Sequence, residues 1–98
     1  MTTRMIIDFE AEQGYRSVLS AIDAYKSRLK ASIARSRRQL ADFEHRYGVD
    51  TDFFLDNLAA EDLEGGDLEY VEWAGEARLL TSLESELAEL EKARLLKE

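Results

Sequence analysis

The chain has 98 residues, no cysteine and no proline, and 13 Lys and Arg against 21 Asp and Glu, for a formal net charge of −8. A chain of roughly 100 residues buries only about two-thirds of the surface its unfolded form exposes, which leaves room for one domain with a modest core. Without cysteine there is no disulfide scaffold, thiolate nucleophile or thiolate metal site, and a single histidine, His45, leaves little for acid–base or zinc chemistry. The composition argues against an enzyme, and no cofactor or metal is expected. The longest apolar run, Met5-Ile6-Ile7, falls far short of the ~18 residues of a membrane span and of a signal-peptide core. A cytoplasmic protein without membrane contact is the expectation.

Residues 1–10 form an N-terminal arm or, given the β-branched and aromatic stretch Arg4 to Phe9, a short strand. Residues 11–98 are expected to form a single helical-hairpin domain. The absence of proline removes the commonest helix breaker, and Ala, Leu, Glu, Lys and Arg dominate. Val18, Ile22, Tyr25, Leu29, Ile33, Leu40, Phe43 and Tyr47 recur at steps of three, four or seven, which keeps them on one stripe of a helix spanning about 11–47. At ~1.5 Å per residue that helix is roughly 50 Å long. The spacing through Leu29, Ile33, Ser36 and Leu40 inserts an extra step of four, as a stutter does. Gly48 suits the C′ position that ends it.

A short helix over about 52–60 carries Phe53, Phe54, Leu55 and Leu58, with Thr51 or Asp52 as its cap. Gly65-Gly66 then breaks the chain, and Asp67 is the expected N-cap of a last helix over about 67–96. Its stripe is Trp73, Leu80, Leu83, Leu87 and Leu90, widened by Ala77, Leu79 and Leu95. Glu69, Glu72 and Glu76 favour the positive end of its dipole, and Lys92, Arg94 and Lys97 the negative end. The connection is too short for the last helix to restart at the far end of the first, so the two pack antiparallel, with Tyr47 near Leu68 and Ile22 near Arg94. The predicted fold is all-α: an antiparallel, coiled-coil-like hairpin of two long helices with a short connecting helix. A narrow two-helix seam leaves part of a 50 Å stripe uncovered, so association into a homo-oligomer is expected to complete it.

Charge divides unevenly along the chain. Through Val49 there are nine basic and six acidic residues, and after it four basic and fifteen acidic, or +3 against −11. Lys26, Arg28, Lys30, Arg35, Arg37 and Arg38 fall in a window free of carboxylates, and the antiparallel pairing sets Glu76, Glu84, Glu86, Glu89 and Glu91 across from it. Complementary flanks that fix helix orientation explain this most simply. Contact with nucleic acid is the weaker reading, against the net charge, the missing helix-turn-helix signature and the lack of aromatics among the basic residues.

Glu69, Glu72 and Glu76 share a helix face, but no Glu-x-x-His pair accompanies them as a di-metal bundle requires. Glu44 and His45 are adjacent on a helix and point about 100° apart, which does not make a catalytic pair. Gly65-Gly66 lacks the Gly-Lys-Ser/Thr of a phosphate loop. Six of the nine aromatics, Phe43, Tyr47, Phe53, Phe54, Tyr70 and Trp73, gather at the hairpin's closed end. They form the main core, or anchor a protein partner, or divide between the two roles.

The segments Phe43-Glu44-His45-Arg46-Tyr47-Gly48, Phe53-Phe54 and Gly66-Asp67-Leu68-Glu69-Tyr70-Val71-Glu72-Trp73 together resemble a family of short helical bacterial and archaeal proteins regarded as antitoxins and often encoded beside small toxins. The resemblance runs from about Tyr25 to Leu90. It implies neutralisation of a toxin by binding rather than catalysis, and the acidic second half would suit a basic, nucleic-acid-processing toxin whose phosphate contacts carboxylates replace. Trp73, Tyr70, Glu69 and Glu72 would then make a mixed aromatic and acidic contact, supported by Phe53 and Phe54. The DNA-binding domain that many antitoxins carry is not recognisable in this chain.

Overall fold

The computed structural model describes residues 1–96. Three α-helices, α1 (Glu12–Tyr47), α2 (Thr51–Asn57) and α3 (Gly66–Lys92), follow in chain order, with a single 3-10 turn at Ala60–Asp62 before α3. No strand occurs among the described residues, so residues 1–9 are an arm without regular structure. The molecule measures 60 × 27 × 18 Å with a radius of gyration of 19.2 Å, against ~13 Å for a compact domain of 100 residues. The elongation follows from α1, whose 36 residues run as one unbroken rod because no proline or interior turn residue interrupts them.

Each helix ends where a local device stops it. Gly48 sits at φ 69°, and its N–H closes on the Glu44 carbonyl at 2.9 Å, which terminates α1 in the left-handed conformation that glycine adopts without strain. The cap of α2 is Asp50 rather than Thr51 or Asp52: its carboxylate accepts the Phe53 N–H at 2.8 Å, and Thr51 is already in the helix. Asp67 likewise does not cap α3. Gly65 occupies that position, Gly66 turns the chain at φ 63°, and Asp67 lies in the first turn beside Glu69, where both carboxylates still favour the helix dipole. The last helix stops at Lys92 instead of about residue 96, which leaves Arg94 and Leu95 beyond it; Lys97, expected near its end, lies outside the described residues.

Helices α1 and α3 pack antiparallel along their stripes. Lys30 faces Glu91 at 4.0 Å, Arg37 faces Glu84 at 2.6 Å, and Arg46 meets Glu69, a register that brings Tyr47 to the start of α3 as its connection requires. Buried on α1 are Leu29, Ile33, Ser36, Leu40 and Phe43. Ser36, 1% exposed, takes the seam position created by the extra step of four. On α3 only Trp73 and Ala74 are fully buried, while Leu80, Leu83, Leu87 and Leu90 are half-buried. Leu79, expected to widen this seam, is 46% exposed on the other side of the helix.

Candidate functional site

The closed end is organised around Trp73, which is completely buried. Its ring stacks on Phe54 from α2 at 3.9 Å between centroids and 3° between planes, and on Phe43 and Tyr47 from α1 at 5.3 and 5.6 Å. Tyr70 meets Phe54 edge-on at 5.3 Å. Leu40, Leu63 and Ala74 complete this core. One polar chain crosses it: the Trp73 Nε1–H donates to Thr51 Oγ1 at 3.0 Å, and the Thr51 hydroxyl and N–H both donate to the Glu44 carboxylate at 2.9 and 2.8 Å. All three helices are thereby joined through one threonine, and the buried indole N–H keeps a partner.

A second polar junction closes the hairpin. Arg46 and the Tyr47 hydroxyl both donate to Glu69, and the Gly65 N–H approaches the same hydroxyl at 3.4 Å. Glu69 is only 16% exposed in its side chain, so its carboxylate is committed to α1.

These contacts reassign the residues that the sequence puts forward for partner contact. Trp73 and Phe54, both at 0% exposure, present no surface and belong to the core. Their burial follows from geometry: positions 73, 77 and 80 lie on the side of α3 turned towards α1, and the largest apolar ring fills the space where three helices converge. Glu69 is held within the chain, and Tyr70 is half-buried against Phe54. Phe53 and Glu72 remain exposed. The structure therefore brings Phe54, Tyr70 and Trp73 together as packing, and leaves Phe53 and Glu72 on the outside. Glu69, Glu72 and Glu76 form no cluster; among the described residues no group of three His, Asp or Glu side chains is placed to hold a metal ion.

What faces solvent is the opposite side of α3. Leu68 and Val71 are 66% and 63% exposed, and with Gly75 and Leu79 they line one stripe at helical spacing, turned away from Trp73. Gly75 stands in mid-helix with nothing within 4 Å of where a Cβ would be. The fold gives no steric reason for glycine there, although glycine costs roughly 1 kcal/mol relative to alanine in a helix. In the sequence this second stripe is masked because Leu79 suits the first equally well; its signal is the Leu68, Val71, Gly75 spacing of three and four, out of phase with Trp73.

Charge surrounds that stripe. Between Arg46 and Arg78 there is no Lys or Arg, while Asp50, Asp52, Asp56, Glu61, Asp62, Glu64, Asp67, Glu69, Glu72 and Glu76 all fall in the interval. Apart from Glu69, none of these carboxylates forms an ion pair among the described residues. Asp50 and Asp62 accept backbone N–H groups and shape the loops. On α1 the basic window divides: Lys30 and Arg37 pair with α3, Arg28 lies over the Tyr25 ring at 5.5 Å, and Arg35 and Arg38 form no ion pair among the described residues. The Glu86 carboxylate accepts the Tyr25 phenol proton and holds that group above its ordinary value of 10.0, with burial and the Glu86 charge adding and Arg28 opposing.

No family model, curated protein or solved structure matches the chain. No helix among the described residues is long and apolar enough to cross a membrane.

Proposed function

We propose that this chain is a small protein-binding module that acts as an antitoxin, neutralising a toxin of basic surface by direct contact. The observation that carries the reading is the acidic interval from Tyr47 to Ala77, uninterrupted by any Lys or Arg, which borders an apolar stripe on α3 that the fold leaves uncovered. Apart from Glu69 these carboxylates have no cationic partner among the described residues, and they steer a cationic surface towards the closed end and speed its association. Leu68 and Val71 supply the apolar area that affinity requires, and Gly75 lets a partner's backbone approach closely. Of the residues first singled out in the sequence, Glu72 adjoins Val71 and Phe53 stays exposed on α2. Trp73 and Phe54 support it from beneath by holding α3 in place. The action is occlusion: a basic groove that binds phosphates is filled by carboxylates instead.

A homo-oligomeric scaffold without a toxin is the competing reading, favoured by the apolar residues exposed at the other end of the hairpin. Co-expression with each open reading frame flanking the gene separates the two. Growth arrest by one flanking frame alone, relieved by this chain through a stable hetero-complex, supports the antitoxin reading. The double variant Leu68→Asp, Val71→Asp should keep its helicity and lose relief. Harmless neighbours that form no complex, or undiminished relief by the double variant, would overturn the reading.

A further inference from the structure

The two faces of the hairpin are unlike. Lys30 and Arg37 lie about 120–140° round α1 from Tyr25, and Glu84 and Glu91 about 140–160° round α3 from Glu86. The Lys30–Glu91 and Arg37–Glu84 pairs therefore close one side of the α1–α3 seam, and the Tyr25–Glu86 hydrogen bond closes the other. Helix α2 lies on the first side, where Thr51, Asp52 and Leu55 share a cleft with Arg37 and Glu84. The second side has no helix over it among the described residues. On that side α1 presents Arg28, Ser32, Arg35 and Gln39, at steps of four, three and four. Helix α3 presents Leu79, Leu83, Glu86 and Leu90 at the same steps. Gln39 and Leu79 are exposed, and Ser32, Leu83 and Leu90 are half-buried. The apolar arc of α3 is thus wider than α1 alone covers.

We propose that a second copy of this chain covers this face, α1 of each copy lying on α3 of the other in a four-helix bundle whose two-fold axis runs along the helices. Charge selects this occupant and this arrangement. On this face the α1 seam carries only cations, Arg28 and Arg35, and the α3 seam only an anion, Glu86. A two-fold axis across the helices would set α1 on α1 and α3 on α3, and so bring like charges together. An axis along the helices keeps every level unchanged, and Arg37 is level with Glu84 within the chain, so Arg35 comes level with Glu86 of the other copy. Arg35 forms no ion pair within the chain among the described residues. Glu86 accepts the Tyr25 phenol proton through one oxygen and has acceptor capacity left for a guanidinium. In this bundle every neighbouring pair of helices is antiparallel, and Leu79, Leu83 and Leu90 gain the cover that the chain itself does not supply. Because α1 ends at Tyr47, level with the Trp73 ring on which it stacks, Leu68 and Val71 lie beyond the partner's helix and stay open. The dimer holds whether or not their partner is a toxin.

The full chain, purified alone, tests this by light scattering after size exclusion. The expected mass is twice 11.2 kDa, and Arg35→Glu weakens association at least tenfold while circular dichroism is unchanged, because it sets like charges face to face twice. The exchange Arg35→Glu with Glu86→Arg restores the dimer. Since the chain has no cysteine, lone thiols report which helices meet: a mixture of Gln39→Cys and Leu79→Cys chains should oxidise to a mixed covalent dimer, whereas neither variant alone should. A monomer at all concentrations, a dimer indifferent to Arg35→Glu, a charge exchange that fails to restore association, or crosslinking of either thiol variant alone in preference to the mixture would each overturn the proposal.

Discussion

At the closed end the α1 stripe meets Trp73, Phe54 and Tyr70, and the Trp73 and Phe54 rings at its centre are completely buried. At the open end the same stripe continues through Tyr15, Val18 and Ile22, half-buried without an opposing helix among the described residues; Phe9 of the arm meets Tyr15 edge-on, and Met5, Ile6, Leu95 and Leu96 nearby lie open. Amphipathic periodicity is equally good in both regions. Periodicity thus establishes that a face is to be buried, and what buries it depends on where the partner element stops. For the closed end the partner is in the chain. At the open end α3 ends at Lys92, several turns short of the end of α1, and the cover there is the irregular arm, whose Phe9 meets Tyr15 edge-on.

The comparison breaks most sharply at Trp73. Trp73→Ala removes the ring shared by three helices and should cost about 3–5 kcal/mol, read as a shift in the urea midpoint followed by circular dichroism. A loss below about 1 kcal/mol would show that the closed end is no better packed than the open one. Thr51→Val keeps the shape but deprives the buried Trp73 N–H of its acceptor and Glu44 of one donor. The expected loss is about 1–3 kcal/mol in the same measurement. Gly75→Ala acts in the opposite direction, raising stability by up to about 1 kcal/mol because the added methyl meets nothing. Partner affinity should fall in the same variant, and destabilisation instead would mean that Gly75 serves the fold. The smallest effect is at Tyr25, whose raised folded value belongs to the neutral phenol. Its contribution is complete below the unfolded value of 10.0 and is lost as pH rises through the higher folded value. Urea midpoints of the wild type should therefore fall relative to Tyr25→Phe at alkaline pH and be insensitive to pH in the neutral range.

Much of this architecture is legible in the residues. Both long helices, their antiparallel register and Gly48 as the stop of α1 follow from spacing and from one turn residue. The N-caps lie one or two positions before the residues the sequence favours, since Asp50, Thr51 and Asp52 all suit an N-cap, and the backbone angle at residue 50 distinguishes them. Trp73 and Phe54 show why the site was less legible than the fold: an aromatic suited to a partner's pocket is equally suited to a core, and the number of helices converging on it decides. Leu68 and Val71, without a motif of their own, acquire meaning only when their side of α3 is seen to face solvent. The ion pairs that the basic window suggested form at Lys30 and Arg37, both more than half exposed, where each contributes only ~0.2–1 kcal/mol. They orient the helices more than they hold them.

Native-state hydrogen exchange tests the central contrast most directly. Amides of Phe43 to Tyr47 and Tyr70 to Ala77 should exchange slowly, because three helices meet at the closed end. Amides of α1 between Tyr15 and Asp23, which no second helix among the described residues overlies, should exchange much faster. Protection that is uniform along α1 would contradict a fold whose stability is concentrated at the closed end.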